Sequence, residues 1–118
     1  MNTFQTTIKG KAGILTGGSS GFGFEMAKTI VAGGGRLAVF SADEISDAGR
    51  REVETAGSGE AVFLHQDIMA PGAADTMVDE TIRRYGRLDF VIANAGFAIR
   101  FEKPLLDMPA EEIAKARR

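Results

Sequence analysis

The chain of 118 residues carries a net charge of −2, with 44% hydrophobic and 25% charged residues, which is typical of a globular protein. This charge argues against nucleic acid or a membrane as a partner, because both bind through clusters of basic residues. There is no cysteine and only one histidine, so disulfides are excluded and no metal site is expected. No apolar run has the length of a membrane span, and the polar first residues lack a signal-peptide core, so we expect a cytoplasmic protein.

Strands and helices are predicted to alternate along the chain. Short apolar runs predict four strands, at 12–16, 37–40, 61–64 and 88–93, the last of them apolar on both faces and therefore buried on both. Between them, apolar side chains at helical spacing and glycine or proline boundaries predict helices at 21–32, 44–56 and 71–85. After a loop-like stretch at 97–108, a last helix begins at Pro109.

This alternation indicates repeated βαβ units and therefore a parallel sheet. We predict an α/β fold of the Rossmann-like type, a three-layer α/β/α arrangement with strand order 3-2-1-4. The order switches between strands one and four, and ligands of such sheets bind beyond the carboxyl ends of the strands at that point. A glycine-rich turn, Ser41, Asp67 and Asn94 all follow strand ends, so we expect them to share this edge.

The glycine-rich turn joins the first strand to the first helix. Gly17 can adopt a positive φ, Gly21 lets the backbone approach a ligand, and Gly23 allows close packing of the helix. Free N–H groups and the positive end of the helix dipole then favour a phosphate, beside the hydroxyls of Ser19 and Ser20. The alternative is a plain strand-to-helix connector without a ligand.

Three motifs in order, GKAGILTGGSSGFG, HQDI and YGRLDFVIANAG, resemble the N-terminal half of a short-chain dehydrogenase/reductase. The resemblance extends from Gly10 to Arg118. It implies that residues 1–118 form a single dinucleotide-binding domain that is shorter than the complete family fold. It also implies an oxidoreductase, which in the complete family transfers hydride between a nicotinamide and an alcohol or ketone.

The resemblance assigns cofactor contacts to three motifs. The pyrophosphate and the nicotinamide side would be bordered by the glycine turn, comprising Gly17, Ser19, Ser20, Gly21, Phe22 and Gly23. Asp67 would accept a hydrogen bond from the adenine amino group and the backbone N–H of Ile68 would donate to the ring, although by itself Asp67 reads as a loop acid or a helix N-cap. Asn94, Ala95 and Gly96 would line the ribose and brace strand four, although Asn94 could be a simple turn residue.

The sequence carries neither of the charged residues that usually indicate a preference for NAD or for NADP. NAD-preferring relatives usually carry an acid where this chain has Ser41, and Asp43 follows two residues later. NADP-preferring relatives usually carry a basic residue where this chain has Ser20 or Ala42. We therefore expect either NAD or NADP as the cofactor, with NAD slightly favoured.

No catalytic residue is predicted. The family uses a Tyr-x-x-x-Lys pair, whereas the single tyrosine, Tyr85, is followed four residues later by Asp89 and is expected to pack. His65 is expected to be a structural residue at a strand end. Two interpretations stay open: the cofactor-binding portion of a truncated oxidoreductase, which we do not expect to be active by itself, or a non-catalytic nucleotide-binding module or remnant.

The last predicted strand also suggests an assembly. Its outer edge lacks a predicted partner and carries no lysine or proline, and unpaired strand edges favour pairing with another chain. We expect a homo-oligomer, formed through this edge or by exchange of the C-terminal segment. The alternative is a monomer in which the stretch 97–108 covers the edge.

Overall fold

The sheet and its helices follow the predicted order. A computed structural model describes residues 7–18 and 21–94. Its strands are β1 (Ala12–Thr16), β2 (Arg36–Ser41), β3 (Glu60–His65) and β4 (Phe90–Ala93), and its helices are α1 (Gly21–Ala32), α2 (Asp47–Glu54) and α3 (Ala73–Tyr85). All neighbouring strands are parallel and their order is β3-β2-β1-β4. The predicted α/β class and strand order are thus confirmed, whereas the loop at 97–108 and the helix from Pro109 lie outside the described residues.

The core lies on both faces of β1 and β2. On one face Leu15, Leu37 and Val39 pack with buried residues of α1 and α2, including Val31 and Val53. On the other face Ile14, Ala38 and Phe40 pack against residues of α3 and its flanks, including Met77, Val78 and Tyr85. The two central strands are therefore buried on both sides, which explains their continuous apolar sequences.

Two helices begin later than predicted. α2 begins at Asp47 rather than at residue 44, because Ser46 is its N-cap and its Oγ accepts a hydrogen bond from the backbone N–H of Gly49. α3 begins at Ala73 rather than at Pro71, because Gly72 takes a left-handed conformation with φ +77°. Residues 44–46 ahead of α2 are irregular, whereas residues 71–72 ahead of α3 form a turn.

The prediction for the fourth strand was wrong in length and in burial. β4 begins at Phe90 rather than at residue 88, and Val91 is 58% exposed. Val91 lies beside Ile14 of β1 and therefore on the α3 face of the sheet. Since α3 packs on β1 and β2, no helix within the described residues covers Val91.

Candidate functional site

Hydrogen bonds hold the carboxyl ends of all four strands together. The backbone N–H of Gly17 donates to Phe40 O at 2.9 Å, which ties the turn after β1 to the end of β2. The N–H of Gln66 donates to Ser41 O at 3.0 Å, which joins the ends of β3 and β2. The N–H of Asn94 donates to Thr16 Oγ1 at 3.0 Å, which joins β4 to β1. The motifs predicted to meet at this edge therefore do so.

The turn between β1 and α1 needs its glycines for different reasons. Gly17 and Gly21 have φ values of +74° and +62°, where most side chains are strained. A Cβ on Gly23 would lie 2.2 Å from Gly17 O, so only glycine allows α1 to approach the turn this closely. Gly18, which the sequence analysis missed, is also tightly packed, because its Cβ would lie 2.5 Å from Val39 Cγ1.

The first two residues of α1, Gly21 and Phe22, are exposed. A Cβ on Gly21 would meet no atom within 4 Å, and the Phe22 side chain is 76% exposed. The first turn of α1 contains no acidic residue, so no carboxylate opposes an anion at this positive helix end. Ser19 and Ser20, predicted to contribute hydroxyls here, lie outside the described residues.

Asn94 braces the glycine turn from β4. Its Nδ2 donates to Gly17 O at 3.2 Å, in addition to the backbone bond with Thr16. These two bonds tie the end of β4 to β1 and to the turn that follows it. Because Nδ2 is committed to the turn, a contact with ribose would fall to Oδ1. The ribose contact itself stays a prediction, and Ala95 and Gly96 lie outside the described residues.

Asp67 caps its own turn after β3. Its Oδ1 accepts a hydrogen bond from the backbone N–H of Met69 at 2.9 Å, across the intervening Ile68. The interpretation of Asp67 as a loop acid therefore describes its role in this structure. The adenine contacts assigned to Asp67 and Ile68 stay predictions.

An open cavity of about 330 Å³ lies beside the ends of β2 and β3, against the first turn of α2. Its apolar lining comes from both strands and the loop before α2, comprising Val39, Ile45, Phe63 and Leu64. Its polar lining comprises Ser41, Asp43, Glu44, Asp47, Arg50 and His65. Except for Ser41, none of these residues is predicted from the sequence to belong to the site, since a polar loop and a polar helix carry no motif.

Tyr85 is a structural residue at the opposite end of the sheet. Its hydroxyl donates to Leu37 O at 3.0 Å, where β2 begins, and the Arg36 guanidinium lies 5.5 Å from its ring centre. Burial, followed by the nearby Glu60 carboxylate, raises the pKa of Tyr85 to about 12. The prediction that Tyr85 packs is confirmed, and its high pKa does not suit proton transfer at neutral pH.

Neither a metal-binding cluster nor a membrane-spanning helix occurs in the described part of the chain. In ranges 7–18 and 21–94, no three histidine or acidic side chains cluster in a way that could hold a metal ion. The helices described there are all too short or too polar to span a membrane.

Comparison with known proteins defines the family. The family model described as enoyl-(acyl carrier protein) reductase matches residues 17–118. L-fucose dehydrogenase from Bos taurus is 39% identical over 92 residues, which are 78% of this chain and 33% of that protein. Together with the fold, these matches show that the chain belongs to the short-chain dehydrogenase/reductase family.

Solved structures support the same assignment. A metagenomic short-chain oxidoreductase in complex with NADP is 30% identical, with a TM-score of 0.69, over 90% of this chain and 48% of that one. NAD⁺-bound xylitol dehydrogenase is 26% identical, with a TM-score of 0.70, over 92% of this chain and 41% of that one. The chain spans about a third of the length of the curated relatives it matches.

Proposed function

We propose that this chain is the cofactor-binding portion of a short-chain dehydrogenase/reductase and holds a nicotinamide dinucleotide at the carboxyl edge of its sheet. The observation that carries the proposal is the glycine turn, where Gly17 and Gly21 adopt positive φ and the first residues of α1 are exposed. The related structures that hold NADP and NAD⁺ support this class of cofactor. We propose further that residues 1–118 act as one binding domain in the cytoplasm.

In this proposal the chain binds and orients the cofactor. Backbone N–H groups at the start of α1 would hold the pyrophosphate, with Gly17, Ser19, Ser20, Gly21 and Gly23 shaping the turn and Phe22 bordering the nicotinamide side. Asp67 and Ile68 would contact adenine, while Ser41, Asn94, Ala95 and Gly96 would line the riboses. The bound dinucleotide supplies hydride transfer to or from an alcohol or ketone.

We assign no catalytic role to these 118 residues. Tyr85 is the one tyrosine of the sequence, and its hydroxyl bonds to Leu37 O at the far end of the sheet. A non-catalytic nucleotide-binding module is therefore the alternative function. Following reduced-nicotinamide absorbance with a panel of alcohols and ketones tests catalysis by this chain, for which we expect no turnover; turnover that survives Tyr85→Phe would contradict the assignment.

Binding is tested by calorimetry with NAD⁺ and NADP⁺ on the wild type and Gly17→Val. A branched side chain at a positive φ would distort the turn and fill space beside the phosphate position. We expect affinity to fall by at least about tenfold. Gly72→Val is the matched control, because Gly72 has a similar φ of +77° but lies ahead of α3, outside the proposed site. Equal affinity of Gly17→Val and the control would refute the binding site.

We also propose that the chain forms a homo-oligomer through the outer edge of β4. Within the described residues β4 pairs with β1 alone, and Val91 exposes an apolar side chain beside the other edge. Light scattering over a range of concentrations should show assembly, and Val91→Lys should weaken it, because a charge on an edge strand opposes pairing. A wild-type monomer at every concentration would rule out this assembly.

A further inference from the structure

β4 is a short strand at the edge of the sheet, and few contacts hold it in place. Within the described residues it pairs with β1 alone, and Val91 is exposed on the α3 face. Just before the strand, the N–H of Asp89 donates to Ala12 O at 2.7 Å. Phe90 and Ile92 lie on the opposite face from Val91 and pack against the core that α1 and α2 share. Beyond the anchor at its start, the position of β4 thus depends on these two side chains.

Phe90 fills a notch that Gly13 leaves in β1. The two residues lie opposite each other in the register of the strands, and a Cβ on Gly13 would overlap the Phe90 ring. Any larger residue at position 13 would therefore compete with the ring for the same space. A large side chain beside a missing one makes a complementary pair, which a shift of β4 by one residue would break.

The same register brings Asn94 to the glycine turn. Asn94 follows Phe90 by four residues and shares its side of the chain, because side chains alternate along a strand. On that side its Nδ2 donates to Gly17 O, and a Cβ on Gly23 of α1 would lie 2.5 Å from the same nitrogen. A shift of β4 by one residue would turn this amide away from the turn.

Resting on the proposed function, we propose that Gly13 and Phe90 are positioning residues for cofactor binding, because they set the register of β4 that holds Asn94 against the glycine turn. Neither residue lies at the carboxyl edge, where the dinucleotide would bind. The two act together through the Asn94 amide, whose bond to Gly17 O keeps the turn in its shape.

Gly13→Ala tests the pair, because its methyl group needs the space that the Phe90 ring occupies. In a ¹⁵N–¹H NMR spectrum the side-chain amide of Asn94 reports its own hydrogen bond, and Asn2 is the only other asparagine. We expect Gly13→Ala to shift this resonance toward that of a free amide. Affinity for NAD⁺, measured by calorimetry, should fall about fivefold, as for the loss of one neutral hydrogen bond.

Two further variants test whether the two side chains act as a pair. Adding Phe90→Leu to Gly13→Ala should restore both the resonance and the affinity, because the shorter side chain leaves room for the methyl group. Phe90→Leu alone leaves the notch partly empty and should shift the resonance in the same direction as Gly13→Ala. It also provides the test if circular dichroism shows that Gly13→Ala does not fold.

Gly35→Ala is the matched control for overpacking. Its Cβ would lie 2.7 Å from Ile30 Cγ2, so it crowds the same core at a place away from β4. It should lower stability in urea and leave both the resonance and the NAD⁺ affinity at wild-type values. The route through the amide has its own control: in an Asn94→Ala background, Gly13→Ala should cost no further affinity.

The outcomes separate this inference from the proposed function. If the wild type does not bind NAD⁺, the proposed function fails, whereas the Asn94 resonance still tests the register. If Gly13→Ala leaves the resonance unchanged, or Gly35→Ala shifts it equally, the role of the pair in the register is overturned. If the resonance shifts but the affinity does not fall, or falls equally in the Asn94→Ala background, the role in cofactor binding is overturned.

Discussion

The edge of the sheet where the strands begin (the amino edge) and the edge where they end (the carboxyl edge) differ in how far their large side chains are bonded within the protein. At the amino edge, side chains bond to the backbone: Arg36 donates to Gly10 O at 2.9 Å, Tyr85 donates to Leu37 O at 3.0 Å, and Asp89 accepts from the Ala12 N–H at 2.9 Å. Backbone groups bond to one another at both edges, as Arg36 does to Lys11 O at the amino edge and Gly17 does to Phe40 O at the carboxyl edge. The Phe22 side chain at the carboxyl edge, by contrast, is exposed.

This difference separates side chains that bond within the protein from side chains that face solvent. The Arg87 guanidinium, followed by the Ala12 N–H, lowers the pKa of the Asp89 carboxyl, which shows that this acid favours its charged form in the folded chain. Such amino-edge groups act within the protein. Polar groups at the carboxyl edge instead line a cavity and a helix terminus that open to solvent. Substitutions at the amino edge should therefore change the free energy of unfolding, and substitutions of exposed residues at the carboxyl edge should change the affinity for NAD⁺.

The largest expected effect on stability comes from Gly23, a tightly packed residue at the carboxyl edge. Gly23→Ala places a Cβ 2.2 Å from Gly17 O and 2.5 Å from Asn94 Nδ2, so the turn or β4 must move. We expect a loss of about 2–3 kcal/mol in the free energy of unfolding, measured by urea denaturation.

Gly21→Ala is the control for Gly23→Ala. Its Cβ would lie in open space, so only the positive φ of +62° opposes the change, at about 1–2 kcal/mol. If the two variants lose the same stability, close packing of α1 on the turn is not what Gly23 provides.

The next effect tests the amino edge. Tyr85→Phe keeps the packed ring but removes the hydrogen bond to Leu37 O, and we expect a loss of about 1 kcal/mol. Binding of NAD⁺ should be unchanged, because the ring lies away from the glycine turn. A binding defect in this variant, at unchanged secondary structure, would show that the two edges are coupled.

Sequence patterns predicted the features that neighbouring residues determine, which are the strands, the helices and the glycine turn. The alternation of apolar runs and glycine boundaries was enough for the strand order, and the glycine turn was predicted because φ > 0 and close approach both demand glycine. The Ser46 cap of α2 was also present in the sequence as serine followed by an acid, although the prediction began the helix three residues earlier.

Other features depend on which elements meet in space. Val91 has apolar neighbours in the sequence, which predicted a buried position. It is exposed because α3 packs on β1 and β2, and no local sequence pattern predicts where a helix packs. The cavity combines strand ends with Glu44 and Arg50, which are far from any motif. The role of Asn94 was predicted mainly from the family resemblance, whereas its hydrogen bond to Gly17 O is seen only in the structure.

The pH dependence of stability gives a further test of the amino edge. The pKa of Tyr85 is raised from 10.0 to about 12 in the folded protein, so folding favours the neutral phenol. Its stabilising contribution is complete below pH 10 and is lost as pH rises from 10 to 12. Allowing for the solvent screening of a half-buried ring, we expect the wild type to lose about 1 kcal/mol relative to Tyr85→Phe across this range.

Two measurements check this dependence. Denaturation of both proteins between pH 8 and pH 11.5 should show their stabilities converging. Because the chain has one tyrosine, its phenolate absorbance reports the pKa directly. A midpoint near pH 10 in the folded protein would contradict the burial argument.

The smallest expected effect on stability belongs to Phe22. Its side chain is 76% exposed, so Phe22→Ala should change the free energy of unfolding by no more than about 0.5 kcal/mol. If Phe22 borders the nicotinamide side of a bound dinucleotide, its ring becomes covered on binding. Removing the ring should then lower the affinity for NAD⁺ by about tenfold. Ile82→Ala, at an exposed apolar position on α3, is the control and should leave NAD⁺ affinity unchanged. Unchanged affinity in both variants would place the cofactor away from Phe22, and the contrast between the two edges would then rest on the glycine turn and the cavity alone.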